Sequence, residues 1–557
     1  MLLGIDVGGT FTDAVVVDDN QVIRHAKTPT THGSLLACIT QAVDQSLIGL
    51  KSSEITRVAL STTIVTNAIV EGQLAKVGLL VIPGPGMKIE NLLPVPPAIL
   101  SGYTDHRGRK VAGIAEHEIR AAFDCLKDCD AFAISGKFAN RNPGQELEAA
   151  ASLRQQAGHR HISLGSQITG SLNFWRRTNS AYYNAAVWSC FQEFANAVEA
   201  ALRQRCIHAP VYILKADGGT MPLSVARTIP VEAIFTGPAA SVFGVMTLAC
   251  PAVPSVSLDI GGTTTDIALW QQGLPLFAGQ GIAIAGYPTS IRSLRLRSVG
   301  IGGDSLVRWE NNHLKIGPQR LGPAMALGGE YPTVSDAFIA AGLVNFGDRK
   351  RAEQAMAQIG GASLSFAETA NFIIDQAATQ IVQAINALIS EWTAEPVYCV
   401  ADLVNTSAFK PELVIGVGGA ARGLVPAVAQ KMGIACRLPA GGAVVNAIGA
   451  AVARPTMEVT VRADTAIGEY TVAECGVKAA VPRLRFEMPD VQQLGKQYLL
   501  ERAAQAGIAV EATELLQQEE FHLVRGFRTI GKIMTCQLQV KPGVLTTISG
   551  FSGEGWQ

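Results

Sequence analysis

Two separated stretches carry the same set of residues for handling a phosphate and its counter-ion. Residues 3–13 read LGIDVGGTFTD and residues 256–266 read VSLDIGGTTTD. Each places an aspartate (Asp6, Asp259) at the end of an apolar run and follows it with two glycines (Gly8 and Gly9; Gly261 and Gly262). Hydroxyls come next (Thr10 and Thr12; Thr263, Thr264 and Thr265), then a second aspartate (Asp13, Asp266). Glycines let the backbone turn tightly and bring its N–H groups close to an anion. The threonines add donors, and the carboxylates suit a hydrated divalent cation or an attacking group rather than phosphate itself. A single Gly-Gly turn after a strand also has a bland reading, as a connection that binds nothing. Two copies that align from Asp6 on Asp259 to Asp13 on Asp266 favour facing phosphate clamps, one from each half of a duplicated α/β structure.

A third glycine-rich turn lies far downstream. Residues 413–415 read as a strand, and Gly416, Gly418 and Gly419 lead into a helix at 424–432. Strand, glycines and helix N-terminus in that order suit a nucleotide lying against bare backbone. The spacing is not that of a dinucleotide fingerprint. The small-residue run 441–451 is expected to pack as a helix behind it.

The elements that must position these loops follow from periodicity. Residues 14–18 and 21–26 are expected as a hairpin about Asp19-Asn20, and 33–48 as a helix with Ser34 as N-cap. A strand from 57 leads into Ser61, Thr62, Thr63, Thr66 and Asn67, which either line a cleft or cap the next helix. Residues 83–113 form a loop whose Asp105, His106, Arg107 and Arg109 either reach a substrate or stay solvated. A long helix or helix pair is expected over 173–205. Residues 235–241 open a helix either as a ligand seat or for close packing through Gly237, Ala239 and Ala240. Asp336 stands in the first turn of a helix, favourable to its dipole and equally suited to coordination. Two long helical patterns cover 366–393, and 458–557 mixes short strands with a helix around 490–506.

Composition narrows the class. The chain has 557 residues, 48% hydrophobic and 16% charged, which indicates a folded protein with more than one core. A formal net charge of −1 gives no general attraction to nucleic acid. Ten cysteines without a C-x-x-C pair are expected to be reduced. His159 and His161 lack a third ligand nearby in sequence. With no signal-like N-terminus and no uninterrupted apolar run near 18 residues, a cytoplasmic protein with no membrane partner is expected.

With these motifs in order, the chain resembles the A-subunit type of the hydantoinase/oxoprolinase family, within the actin/hexokinase nucleotide-binding superfamily. The matching segments are GIDVGGTFTD (4–13), STTIVTNAIVEG (61–72), DGGTM (217–221), FTGPAASVFG (235–244), LDIGGTTTDIA (258–268), SVGIGGDS (298–305), PTVSDA (332–337) and IGVGGAARGLVP (415–426). The resemblance implies an α/β, duplicated actin/hexokinase-like (ribonuclease H-like) fold with a small accessory α+β C-terminal domain. The halves are expected at 1–185 and 186–455, the accessory domain at 456–557.

It also implies ATP with Mg²⁺ or Mn²⁺ as cofactors. Gly8 to Thr10 would form one phosphate clamp and Gly261 to Thr264 the other. Asp6 and Asp259 would hold the hydrated metal, and Gly416, Gly418 and Gly419 would sit beside adenosine. Asp13 or Asp266 would orient the attacking group, which makes Asp6, Asp13 and Asp266 the catalytic candidates. The implied reaction activates a cyclic amide or related carbonyl substrate by phosphoryl transfer. A small-molecule kinase or ATPase without hydrolase activity and a nucleotide-switched binding protein are the alternatives. After residue 72 the chain has KVGLLVIPGPGMKIENLLP in place of the family's arginine-bearing segment. No second catalytic subunit is fused on, so a separate B-type subunit in a homo- or hetero-oligomer is expected.

Overall fold

In this computed structural model, described for residues 1–30, 35–87, 92–279, 281–310, 313–361, 363–394, 409–482 and 485–552, the chain builds one strand order twice. Strand Leu2–Val7 pairs antiparallel with Phe11–Asp18, which pairs antiparallel with Gln21–Pro29. On its other side it pairs parallel with Arg57–Thr62, and that strand parallel with Val211–Leu214. In the second half Ser255–Ile260 pairs antiparallel with Thr265–Gln271, then Leu274–Pro275, and parallel with Leu413–Val417, then Ala435–Arg437. Both sheets have the order 3-2-1-4-5. The central strands are buried along nearly their whole length because both of their faces are covered.

Residues 77–164 form an inserted α/β unit. Its four-stranded sheet is parallel, in the order His161–Leu164, Ala131–Gly136, Val77–Ile82, Ala98–Ile99, and a short antiparallel pair, Tyr103–Thr104 with Lys110–Ala112, lies beside it in sequence. The chain returns through one unbroken helix, Phe174–Gln204, whose N-terminus is capped by the Asn173 side chain accepting from the Arg176 N–H at 3.2 Å. The expected division at 185/186 falls inside this helix. The first sheet goes on to collect strands as far as Thr220–Pro222, because the helix must lead back to the strand beside Arg57–Thr62.

Two helices cross between the halves. Thr236–Ala249, which follows the first half's strands, packs on the second sheet through Ala268, Trp270, Ile415 and Val417. Val445–Val452, which follows the second half's strands, packs on the first sheet through Val15, Val17 and Val22. Glycines make the crossing close. A Cβ on Gly449 would lie 1.9 Å from the Ala240 carbonyl oxygen, and one on Gly244 2.3 Å from Val445.

A five-stranded antiparallel sheet backed by helix Met488–Gln505 forms the C-terminal α+β unit. Its boundary differs from expectation at the far end. Residues after 540 leave the unit, and Gly550–Phe551 adds to the edge of the first sheet beside Gln21 and Val22. Residues 366–393 form one helix, not two. Among the described residues it is the only helix long and apolar enough to cross a membrane; its apolar face is in the second half's core, packed with helices Val334–Ala340 and Ala421–Met432. Ser34, the expected N-cap of helix Leu35–Ser46, lies outside the described residues. No disulfide joins cysteines among the described residues.

Candidate active site

The two clamp loops are hairpin turns at the ends of equivalent strands. In the first, the Gly8 N–H donates to the Phe11 carbonyl at 3.1 Å; in the second, the Gly261 N–H donates to the Thr264 carbonyl at 3.0 Å. Gly9 and Gly262 are the exposed tips. In both hairpins the two aspartates are direct cross-strand partners, Asp6 with Asp13 and Asp259 with Asp266, so each pair shares one face of its sheet. The candidate catalytic and metal-holding residues therefore stand together at each strand end.

Their surroundings differ. Asp6 is buried and accepts from the Ser61 hydroxyl through Oδ1 and from the Asn446 amide through Oδ2 at 3.3 Å. Asp13 receives the Lys27 ammonium on both oxygens, at 2.9 and 2.8 Å. Ser241, from the crossing helix Thr236–Ala249, stands beside Asp259 and Ser298 beside Asp266, each favouring the ionised carboxylate. Asp266 has no counterpart of Lys27 among the described ion pairs.

Burial is the main force on the protonation of all four. It pushes Asp6 up to about 6, helped by repulsion from Asp13 and opposed by the Ser61 hydrogen bond. Asp259 rises to about 7, by burial and then repulsion from Asp266, and Asp266 to about 6, by burial. Asp13 is also raised by burial, against the Lys27 charge. Lys27 and Asp13 of the first half act on Asp259 of the second, so the two clamps share one electrostatic field across the cleft. Such perturbed carboxylates in a cleft mark a functional site.

The GIGGDS turn is fastened to the second clamp. The Gly303 N–H donates to Gly261 O at 2.9 Å and the Asp304 N–H to Gly262 O at 2.7 Å. A Cβ on Gly302 would sit 2.6 Å from the Gly262 backbone, so only glycine allows this approach. Arg320 Nε holds Asp304 at 3.0 Å. The third turn closes the other side: Gly418, at φ +89°, runs so near Asp259 that a Cβ would lie 2.5 Å from its Oδ1. Gly419 faces open space.

Several sequence candidates take other roles. Thr12 is fully buried, paired with the Thr30 hydroxyl at 3.0 Å on the face opposite Asp13; its counterpart Thr265 donates to Ile301 O at 2.6 Å. Gly416 lies within strand Leu413–Val417, where a Cβ would meet Val425 at 2.4 Å, so it admits helix Ala421–Met432 rather than a ligand. Asp336 spends its carboxylate on the N–H groups of Met325, Ala326 and Thr333, as a buried helix cap. Asp105 folds its own turn, accepting from the Arg107 and Arg109 N–H groups and the Arg109 side chain. In the 61–67 cluster, Ser61 reaches Asp6, and Thr62 and Thr66 accept backbone N–H groups of Ile64 and Phe235. His161 stacks on Trp188 at 4.6 Å. No group of three or more His, Cys, Asp or Glu side chains forms a metal cage among the described residues. Lys27, Asn446 and Ser241 are the site residues that sequence reasoning missed as ligands of the aspartates.

Two ribonuclease H-like halves that meet over paired aspartates and glycine turns define a duplicated α/β nucleotide-binding fold of the actin/hexokinase type. Models of the hydantoinase/oxoprolinase N-terminal region and of hydantoinase/oxoprolinase match residues 2–157 and 177–459, and the chain belongs to this family. It is 27% identical over 478 residues to the caprolactamase subunit alpha of Pseudomonas jessenii, covering 77% of this chain and 67% of that one. It is 26% identical to the acetophenone carboxylase gamma subunit of Aromatoleum aromaticum, covering 62% of this chain and about half (53%) of that one. Two solved structures share the fold: the ATP-dependent caprolactamase from Pseudomonas jessenii (TM-score 0.71, 21% identity) and a nucleotide-free acetone carboxylase (TM-score 0.70, 18% identity). Each alignment covers 97% of this chain and 87% of the other.

Proposed function

We propose that this chain binds ATP with a hydrated Mg²⁺ or Mn²⁺ between its two clamps and activates a cyclic amide, of the hydantoin, 5-oxoproline or lactam kind, by phosphorylating the amide oxygen. The observation that carries the reading is the repeated cross-strand pairing of Asp6 with Asp13 and of Asp259 with Asp266 beneath glycine turns, in one cleft. ATP supplies the phosphoryl group. The chain's own work is positioning and charge compensation.

With the Gly8 and Gly261 N–H groups closing the turns, the backbone of Gly9 and Thr10 and of Gly262 to Thr264 presents N–H groups to phosphate oxygens. Hard carboxylate oxygens at Asp6 and Asp259 are the donors that a divalent cation takes through its water shell. Lys27, already bound to Asp13, adds positive charge to the same cleft. Asp13 or Asp266 orients the attacking oxygen. As the amide oxygen bonds to the γ-phosphorus, the bond to the ADP oxygen breaks. Water then adds to the activated carbon, the ring C–N bond opens as the nitrogen leaves with a proton, and a second water hydrolyses the resulting acyl phosphate to carboxylate and phosphate.

Relatives named as subunits support a separate B-type subunit for the ring-opening step. The similarity to an acetophenone carboxylase subunit supports a related ketone as second substrate class. Use of ATP fits a cytoplasmic site of action. ATP turnover by the full chain, measured with and without hydantoin, 5-oxoproline and caprolactam, tests the reading. Stimulation by at least one is expected, and indifference to all three would remove the cyclic amide. No Mg-ATP binding by calorimetry would remove the nucleotide.

A further inference from the structure

The C-terminal sheet turns Val459, Val461 and Ala463 onto helix Met488–Gln505, so the alternate residues Thr460, Arg462 and Asp464 face the opposite way. That face lies against the inserted α/β unit. The Gly170 N–H donates to Glu474 Oε1 at 3.1 Å and the Thr460 N–H to its Oε2 at 3.0 Å; Asn140 Nδ2 donates to Gly170 O at 3.1 Å. A Cβ on Gly170 would lie 2.9 Å from Thr460. Arg141 is close enough to Arg462 and Asp464 to feel the charge of both.

Buried polar atoms without a partner concentrate along this seam: Asn140 Oδ1, Arg141 Nε, Thr460 Oγ1, Arg462 Nε and Nη2, Asp464 Oδ2 and, across the strand from Arg462, Thr471 Oγ1. Arg462 is 8% exposed. Native interiors rarely leave such groups unmet, and several in one place call for an occupant. The nearby carboxylates are committed elsewhere. Asp105 is held by Arg109 and two backbone N–H groups, Glu474 by two more, and Asp464 Oδ1 by the N–H groups of Ala466 and Ile467. Arg107, Arg141 and Arg462 converge there, with Asp464, whose Oδ2 is unpartnered, as the carboxylate acting on both Arg141 and Arg462. Burial and then the neighbouring Arg462 push the Arg141 guanidinium down to about 10, against the opposing pull of Asp464 and Asp105.

We propose that this seam is an oxyanion site that takes a proton-bearing phosphate group between Arg462 and Arg141. Nε and Nη2 of Arg462 are the parallel pair of donors that matches two oxygens of one oxyanion. Asn140 Oδ1 and Asp464 Oδ2 are acceptors and require a donor. A monoprotonated phosphate supplies one; sulfate and carboxylate at neutral pH do not. Arg107 and Arg141, both partly exposed, form the mouth. An occupant joins the inserted unit to the C-terminal sheet without touching the nucleotide clamps.

The test is thermal unfolding and calorimetry of the full chain with inorganic phosphate, sulfate or acetate, each against sodium chloride at matched ionic strength. Saturable stabilisation by phosphate, greater than by sulfate or acetate, is expected. Arg462→Gln and, separately, Arg141→Gln should each raise the phosphate Kd by about tenfold or more. The wild-type titration and the mouth variant decide the matter even if Arg462→Gln fails to fold. A wild type that responds to phosphate no more than to chloride means water alone fills the seam and overturns the proposal. So does phosphate binding that both variants leave unchanged, which would place the anion in the clamps. Equal stabilisation by sulfate overturns the proton-bearing assignment.

Discussion

Asn446, on the helix that follows the second half's strands, donates its side-chain amide to Asp6 of the first half. Ser241, on the helix that follows the first half's strands, stands beside Asp259 of the second and favours its ionised form. Each half thus acts on the other's strand-end carboxylate. Asn446→Ala removes a donor that favours the ionised form of Asp6, so the acid limb of the pH–turnover profile should move up by about half a unit to one unit. Superimposable profiles would show that Asn446 serves packing alone.

The raised carboxylates set a pH dependence with a defined sign. Asp6, Asp259 and Asp266 hold protons in the folded state up to about pH 6, 7 and 6. The unfolded chain releases them near 3.8. Between about pH 4 and 7 the native state binds more protons, so the nucleotide-free protein should lose stability as pH rises through that window. A divalent cation needs the ionised forms, so Mg-ATP affinity should rise roughly five- to tenfold from pH 6 to 7.5. Calorimetry across the window would expose a trend of the opposite sign.

Asp259→Asn should abolish Mg-ATP binding while leaving the apo fold as stable or slightly more so, because a buried charge repelled by Asp266 is removed. Unchanged affinity by titration calorimetry would sink the two-clamp reading.

Lys27→Met keeps the stem over the Phe11 ring, where the ammonium now sits 5.0 Å from the centroid, and deletes the charge. Asp13 is left buried without its cation. Turnover should fall about ten- to hundredfold, with a stability loss of about 1–3 kcal/mol. Steady-state kinetics beside urea unfolding separates the two effects; wild-type turnover would exclude Lys27 from the site.

Gly449→Ala would drive a methyl group into the Ala240 carbonyl at the helix crossing. Neither backbone can yield without moving a half, so a loss of about 3 kcal/mol is expected. A variant as stable as wild type in urea would mean the halves are not closely locked there.

The clamps were legible in sequence because each is a local pattern, a strand end and its turn within eleven positions. So were the third glycine turn, as a turn between strand and helix, and most helices. The ligands of the aspartates were not, because tertiary crossing delivers them: Asn446 stands 440 positions from Asp6. Thr12 was misjudged by one step of strand alternation. Next to Asp13 in an extended strand it must face the other way, into the hairpin's core. Gly416 was misjudged because a glycine that admits a helix and one that admits a ligand look alike until the neighbouring Val425 is in place.

The strand Gly550–Phe551 has a kinetic consequence. It covers the edge of the first sheet, and the Ser549 N–H bonds Asn20 O at 2.8 Å, between residues 529 positions apart. The first sheet assembles from residues made early, yet its edge stays uncovered while both halves and the C-terminal unit are being synthesised. Closing so long a loop comes last, so the nascent chain carries an unpaired strand edge through most of its synthesis and depends on whatever shields that edge meanwhile.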